Sequence, residues 1–374
     1  MAFRFVHSAD LHLGKGFGAL PEDLRGRLIE ARHDALARLA RTARDRGAGH
    51  VLLAGDTFDT TGPSEAVRRQ AATAMSAAAD IQWWILPGNH DSLAGEELWR
   101  HFRHEAGDNV HLLCAPEPVT LAPGVALLPA PLPRRFPGHD LSGWMDSAET
   151  PPGTLRIGLA HGGIADFGEG FDASAVIAAD RPARAGLDYM ALGDWHGTRR
   201  IGPRCWYSGT SERDRFGQDG RGLCLVVTLE DPGAPPRVEQ VPVGRFDWSA
   251  PELDLTPDDD AAARLAALLP ADRAARRDVL LRVTVRGFVG MRARGALDDL
   301  ARAVAPDFAW LQLDTSGLRT DCAPEDLDLI ATGGALRQVA ATLRREATDP
   351  ALPHDAQRVA EAALNRLWTL VREG

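Results

Sequence analysis

Cysteine is scarce in this chain: four residues in 374 (Cys114, Cys205, Cys224, Cys322), none in CxxC spacing. That argues against a disulfide framework and a thiolate zinc site, and buried or idle thiols in a reducing cytoplasm fit better. No apolar run approaches the roughly 18 residues that a membrane helix needs. The opening stretch from Met1 to His7 lacks a long apolar core and a small-residue cleavage site, so it reads as a first strand, not a secretion signal. Positive charge is also lacking, with a formal net charge of -10. An acidic balance argues against a protein that coats DNA through bulk attraction. It does not argue against an enzyme that grips one phosphate, because bound metal supplies concentrated positive charge where the phosphate sits. Lys15 is the one lysine, and genome composition explains the preference for arginine as well as function does.

What is present suits a globular protein of more than one domain: 44% hydrophobic and 25% charged residues over 374 positions. The first half alternates strands with helical patterns. Strands are expected at Phe3–Val6, His50–Ala54 and Ile81–Leu86. Helices are expected from Pro21 to Gly47, from Ser64 to Ala79 and from Glu96 to Glu105. Such alternation suggests βαβ units and a largely parallel sheet. Further strands are expected at Val125–Leu128, Leu155–Ala160 and Tyr189–Leu192, with Ser142 to Gly153 as a loop. Closely spaced strands near Trp206-Tyr207, Leu223–Leu229 and Val238–Val243 are expected to be antiparallel. After Pro251 a helix, strand, helix, strand series suggests a small α/β domain, and two helices follow, Ala335–Glu346 and His354–Arg372.

The chemistry gathers after the strands. The first is followed by Asp10-Leu11-His12, the second by Gly55-Asp56-Thr57-Phe58-Asp59, and the third by Gly88-Asn89-His90-Asp91. Two later strands lead into His161-Gly162-Gly163 and Gly193-Asp194-Trp195-His196. In a parallel sheet the C-terminal strand ends share one edge, where such folds build their sites. Carboxylate and amide oxygens with imidazole nitrogens, and no thiolate, suit hard or borderline divalent cations. Two cations about 3.5–4 Å apart need a bridging carboxylate, and Asp56 sits in a glycine turn at a central strand. Taken singly, each piece has a plainer reading. Asp-x-His is more often a surface pair, Gly-Asp usually a turn, and a lone His161 a satisfied strand-end histidine. The ordered set, each member placed after a strand, leaves coincidence little room. Trp83 and Trp84 fit a buried strand better than a base-stacking platform, and Arg32, Arg38, Arg41 and Arg44 read as a solvated helix face.

The order Asp-x-His, Gly-Asp-x-x-Asp, Gly-Asn-His-Asp, His, Gly-x-x-His is similar to that of the calcineurin-like metallophosphoesterases. More narrowly, His7 to Gly14 and Tyr207 to Arg213 with Phe216-Gly217 resemble the SbcD-type DNA repair exonucleases, bacterial relatives of the Mre nuclease. The resemblance covers roughly residues 1–245. It implies an α/β fold of the four-layer sandwich type, two mixed β-sheets flanked by helices. The implied domains are 1–245 (phosphoesterase), 246–325 (small α/β cap) and 326–374 (C-terminal helices). It also implies two divalent metal ions, manganese first with magnesium, iron(II) or zinc as alternatives. Asp10, His12, Asp56 and His196 would surround one metal, and Asp56, Asn89, His161 and Asp194 the other. His90 would be the general acid, with Asp91 orienting its imidazole. Asp194 departs from the family, which usually has histidine there, and its extra negative charge tilts preference towards hard ions.

Asp59, Arg199 and Arg213 are the expected substrate contacts, with Arg200, Arg204 and Arg215 nearby, though each arginine could as well pair with an acidic neighbour. The implied function is DNA exonuclease or endonuclease activity in repair, in the cytoplasm, with an SMC-like coiled-coil ATPase on the C-terminal helices. A homodimer is a further implied partner, and no membrane. Apolar stripes including Leu336, Val339, Val359 and Leu370 would suit the ATPase, but packing on the chain's own core explains them equally well. The competing readings are a small-molecule phosphodiesterase or phosphatase, acting on cyclic nucleotides or phosphate monoesters, and a scaffold with a structural metal.

Overall fold

The computed structural model describes residues 2–164, 176–217, 219–322, 326–331 and 333–373. The chain divides into two compact units, Met1–Asp247 and Trp248–Gly374.

The first unit opens with alternating elements: β1 (Phe3–Ser8), α1 (Glu22–Asp45), β2 (His50–Ala54), α2 (Glu65–Ala77), β3 (Gln82–Leu86), α3 (Glu96–Glu105) and β4 (Val110–Leu112). The Ser64 side chain caps α2 by accepting from the Val67 N–H at 3.4 Å. The chain then builds β5 (Val119–Ala122), β6 (Val125–Ala130) and β7 (Leu155–His161), followed by a short pair, β8 (Gly163–Ile164) and β9 (Val176–Ile177). After α4 (Arg181–Arg184) come β10 (Tyr189–Gly193), β11 (Arg199–Gly202), β12 (Cys205–Tyr207), β13 (Gly220–Leu229) and β14 (Arg237–Ser249). One sheet runs β14-β13-β1-β2-β3-β4 and the other β11-β12-β10-β7-β6-β5. β1 to β4 pair in parallel, while β13 runs antiparallel to β1. In the second sheet β6, β7, β10 and β12 are parallel, with antiparallel edges at β5 and β11.

The period-2 pattern of the strands explains the layers. Val6, Val51, Leu53, Trp83 and Ile85 face α1, α2 and α3, meeting Leu36, Leu39, Met75, Leu98 and Phe102. Their sequence neighbours Phe5, Leu52, Ala54, Trp84 and Leu86 turn the other way, against Leu127, Ile157, Leu159, Tyr189 and Ala191 of the second sheet. Full burial of each large apolar side chain is worth about 1.5–3 kcal/mol. A one-residue slip would exchange the two sets, so register is tightly held. The architecture is a mixed α/β fold with two mixed sheets flanked by helices.

Two local expectations fail. The strands near Trp206-Tyr207, Leu223–Leu229 and Val238–Val243 are not one antiparallel group. β12 lies in the second sheet, parallel to β10, while β13 and β14 extend the first. Cys205 and Tyr207 pack with Leu128, Met190 and Leu192 on the outer face of the second sheet, whereas Leu225 and Val227 fill the space between sheets. Ser142 to Gly153 is not all loop either. A 3-10 turn spans Leu141–Asp146, started by the Asp140 carboxylate accepting from Ser142 N–H at 2.8 Å, and it buries Met145 completely. One turn is too short to show a helical period.

In the second unit β15 (Glu252–Leu255), β16 (Val279–Gly290) and β17 (Trp310–Asp321) pair in parallel, and α5 (Ala261–Leu268) and α6 (Met291–Val304) share their core. The same unit contains α7 (Leu327–Ile330), α8 (Gly334–Thr348) and α9 (His354–Glu373), whose Ala340 and Leu364 pack with Met291 and Ile330. Among the described residues, no helix is long and apolar enough to cross a membrane.

Candidate dinuclear metal centre

The C-terminal ends of β1, β2, β3, β7 and β10 carry the polar residues named from the sequence. The loops after β1 and β2 run on as a cross-linked pair. Asp10 N–H donates to Gly55 O (3.1 Å), His12 N–H to Asp56 O (2.9 Å), Leu13 N–H to Thr57 O (2.9 Å) and Asp59 N–H to Leu13 O (3.0 Å). From β10, the Asp194 N–H reaches the Asp10 carboxylate at 3.1 Å. Four non-glycine residues of the described chain have positive φ: Asp10 (54°), His12 (45°), Asp56 (55°) and Asp194 (96°). All four are in the ligand set read from the sequence. Such conformations cost of order 1–3 kcal/mol each, about what function-bearing turns retain.

The side chains converge in three overlapping groups, one of which, His12, Asp56 and His90, joins the other two. Asp10, His12 and His196 place ligand atoms within 4.8 Å of one another, and so do Asp10, Asp56 and His161. His12 Nε2 lies 3.1 Å from His196 Nε2 and 3.7 Å from Asp56 Oδ2. On the other side His161 Nε2 is 2.9 Å from Asn89 Oδ1, 3.5 Å from Asp56 Oδ2 and 3.7 Å from Asp194 Oδ1. Asp56 therefore lies between the groups, near both His12 and His161. Gly88 makes room for it: a Cβ there would fall 2.9 Å from Asp56 Cγ and closer still to its Oδ1 and backbone nitrogen.

Electrostatics fit a cation site. Asp10 is fully buried and Asp56 is 2% exposed, an arrangement that without positive charge is expensive. Burial, then Asp91 and Asp10, push the Asp56 carboxyl well above its ordinary range, while His161 pulls the other way. Burial alone would lower His161, but Asp56, Asp194 and Asp10 outweigh it and raise its pKa to about 9. The cage thus draws a proton onto His161 where a divalent cation would satisfy the carboxylates instead. A backbone carbonyl fixes the metal-facing nitrogen: His161 Nδ1–H donates to Ala54 O at 2.8 Å, which leaves Nε2 for a metal. Oxygen and imidazole donors in overlapping groups that share the carboxylates of Asp10 and Asp56 suit two divalent ions.

His90 and Asp91 divide differently from the expectation. Asp91 does not orient the His90 ring. Its buried carboxylate accepts from Phe58 N–H (3.0 Å) and Gly88 N–H (2.7 Å), tying the second and third loops together. The Asp59 carbonyl performs the orienting task by accepting from His90 Nδ1–H at 2.8 Å, while His90 N–H donates to Asp56 Oδ1 at 2.9 Å. Loop geometry explains the switch: Asp91 turns under its own loop, whereas Asp59 ends the neighbouring one.

The expected substrate contacts fare unevenly. The Asp59 carboxylate lies 3.1 Å from His12 Nδ1 and 3.8 Å from Lys15 Nζ, behind a ligand. Arg213 is 7% exposed and donates to His196 O at 3.0 Å, so it braces the His196 loop. Arg204 is committed to the Asp188, Gly233 and Ala234 carbonyls. Arg199, Arg200 and Arg215 are exposed.

Two positioning residues escaped the sequence reading. Asp214, its side chain 3% exposed, sits 3.3 Å from His196 Nδ1 and 3.2 Å from Lys15 Nζ. Burial opposes its charge, but His196, Arg32 and Lys15 hold its carboxyl far below the usual range. Arg32 is not on a solvated face. It is 1% exposed and donates to Leu11 O (2.6 Å) and Glu212 O (3.1 Å), anchoring the first motif loop to the Ser211–Asp214 loop. Helical spacing alone could not reveal this, because Arg32 sits at the edge of the apolar stripe. Thr210 Oγ1 lies 2.9 Å from Asp10 O on the same seam.

A family model described as calcineurin-like phosphoesterase matches residues 3–227. The chain is similar to the uncharacterized metallophosphoesterase YhaO of Bacillus subtilis (strain 168), 26% identical over 242 residues, covering 59% of this chain and 56% of that protein. It is also similar to the SbcD component of the nuclease SbcCD from the same organism, 31% identical over 121 residues, covering 31% of this chain and 29% of that protein. The match thus spans about half the length of the first of these relatives and less of the second. Among solved structures, TT1561 of Thermus thermophilus aligns with 65% of this chain and 100% of its own, with a TM-score of 0.43 and 11% identity.

Proposed function

The chain belongs to the calcineurin-like phosphoesterase family, and from that premise we propose that this phosphoester hydrolase is a manganese-dependent phosphodiesterase that cuts DNA. The observation that carries the reading is the shared cage: overlapping ligand groups, two of which share Asp56, with His90 in one of those two and anchored from behind by the Asp59 carbonyl. Divalent ions bound there would neutralise the phosphate and make water nucleophilic near neutral pH.

The protein's own groups supply the rest. Asp56 stays fixed by the His90 N–H, so the cage keeps its shape as substrate enters. A carbonyl only accepts, so the Asp59 carbonyl fixes the Nδ1–H tautomer of His90. Nε2 is then the nitrogen that, once protonated, can pass a proton to the departing oxygen. A diester needs this more than an aryl ester does, because an alkoxide is a poor leaving group. Asp214 holds Nδ1 of His196 and so directs its Nε2 toward the first ligand group.

Several features support DNA over small esters. A cavity of about 270 Å³ beside Asp194 and His196 is lined by Trp195, Arg215 and Phe216, offering an aromatic wall and an exposed cation. The partial likeness to a nuclease component points the same way. Work with an SMC-like ATPase through α8 and α9, where Leu336, Val339, Val359 and Leu370 are 41–69% exposed, homodimerisation, and a cytoplasmic location with its four free thiols belong to the same proposal.

The deciding test incubates the full chain and manganese with end-labelled duplex and single-stranded DNA, beside cyclic nucleotides and nitrophenyl monoesters. Shortened or cut DNA is expected. Turnover of the small esters alone would replace the nuclease reading with a small-molecule phosphodiesterase or phosphatase.

A further inference from the structure

A charged hollow outside the metal centre lies within the second unit. A cleft of about 700 Å³ opens between β17 and α9, with a contribution from α6. Arg294, Arg319, His354, Arg358 and Arg366 line it. Its acids are already committed: Asp298 pairs with Arg294 at 3.2 Å, and the Glu361 carboxylate accepts the Thr320 N–H. Arg319, Arg358 and Arg366 are exposed and have no hydrogen bond or ion pair among the described residues.

The cationic wall is not a by-product of composition, because the chain carries a net charge of -10. Nor is it packing. α9 buries its opposite stripe, with Ala360 4% and Leu364 3% exposed, and turns His354, Arg358, Glu361 and Asn365 to the cleft at successive turns of the helix. At 1.5 Å per residue, Arg358 and Arg366 stand about 12 Å apart along the axis. One phosphate cannot reach both. A strand carrying a charge about every 3.4 Å presents three or four phosphates over that span. Guanidinium forks match phosphate oxygens in geometry, and three unpaired forks lining one cleft, two of them about 12 Å apart along α9, ask for a repeating anion.

We propose that this cleft binds the phosphodiester backbone of a nucleic-acid strand, several phosphates at a time, as a site separate from the metal cage. The assignment rests on the reading of the protein as one that acts on nucleic acid.

The test is fluorescence anisotropy of a labelled 20-residue oligothymidylate with the full chain in EDTA, which removes the metal centre's share of binding. The triple variant Arg319→Gln, Arg358→Gln, Arg366→Gln should bind at least about tenfold more weakly. Its plot of log affinity against log salt should be shallower by about two, since each neutralised phosphate of a single strand contributes roughly 0.7. The triple Lys variant should keep most of the slope, and manganese-dependent hydrolysis of bis(nitrophenyl) phosphate should match the wild type in both. Absent oligonucleotide binding, or equal affinity and slope in the Gln variant, overturns the proposal. So does displacement by polyglutamate of matched charge at lower concentration than by unlabelled oligonucleotide, which would mark an acidic-protein site. The two readings fail separately. Loss of binding in the Gln variant with no DNA cleavage by the wild type sinks the nuclease alone, and cleavage with unchanged binding sinks the cleft alone.

Discussion

Replacing Gly88 by alanine adds one methyl group where the structure has no room for it. The new Cβ would stand 2.9 Å from Asp56 Cγ, and closer still to its Oδ1 and its backbone nitrogen, against an ordinary carbon–carbon separation of about 3.5–4.0 Å. The carboxylate must therefore retreat by about 0.6–1.1 Å, and Asp56 lies between His12 and His161 and belongs to two of the ligand groups. The contact with the backbone nitrogen also pushes on the Asp56 turn, whose carbonyl accepts from His12 N–H at 2.9 Å, so the first motif loop is disturbed with it. Gly88 has no positive φ, so the effect comes from the contacts of the new Cβ with Asp56 and not from a conformational penalty at residue 88 itself. A misplacement of about 1 Å in a reacting constellation costs about 100-fold in rate, which is about 2.7 kcal/mol of transition-state stabilisation. Bis(nitrophenyl) phosphate hydrolysis with manganese reads kcat, and isothermal titration counts metal sites. The expected outcome is kcat down about 100-fold with at least one metal site weakened. Gly26→Ala is the matched control: it lies in α1 with nothing within 4 Å and should leave activity alone while stabilising by about 0.5–1 kcal/mol. Activity within about threefold of wild type and two intact metal sites in Gly88→Ala would refute the placement of Asp56 as the shared ligand.

Other consequences can be checked separately. His90→Gln should retain both metals by titration yet lose at least about 100-fold in kcat on DNA, and less on esters with good leaving groups; equal loss on both would remove the proton-donor role. Asp214→Asn, similar in size, should weaken metal binding about 10–100-fold by freeing His196, and unchanged affinity would make Asp214 merely structural. The metal-free protein should lose stability as pH rises from about 7 to about 9.5. His161 has its folded pKa raised to about 9 against 6.5, so its contribution is complete below about 6.5 and disappears as pH passes about 9. The raised Asp56 acts in the same direction. Differential scanning fluorimetry in EDTA should show the melting temperature falling by several degrees over that window, and a flat or rising trace would contradict the charge balance assigned to the cage.

The local elements were legible because β1, β2 and β3 are short apolar runs, Phe5-Val6, Val51 to Ala54 and Trp83 to Leu86, set between helical patterns and bounded by glycine or polar residues. Asp-x-His, Gly-Asp and Gly-Asn-His-Asp after those strands, and His-Gly-Gly after β7, named Asp10, Asp56, Asn89 and His161 before any distance was known. Sheet membership was not legible, since β12 and β13 look alike as short apolar runs, and only the two separate cores decide which sheet each joins. The same limit hid the residues behind the ligands. Asp214 and Arg32 stand far from the motif ends in sequence, and their roles arise when the loop following β12 crosses the N-terminal motif. Asp91 and Asp59 show it most clearly. Residue type and spacing marked both as acids near His90, but which one meets the ring depends on how two loops from different strands lie across each other. Sequence determined the chemistry delivered to the sheet edge, because side-chain period and turn preference are local. Tertiary structure alone decided the partners there, because hydrogen bonds between separate loops depend on where the backbone of each finally runs.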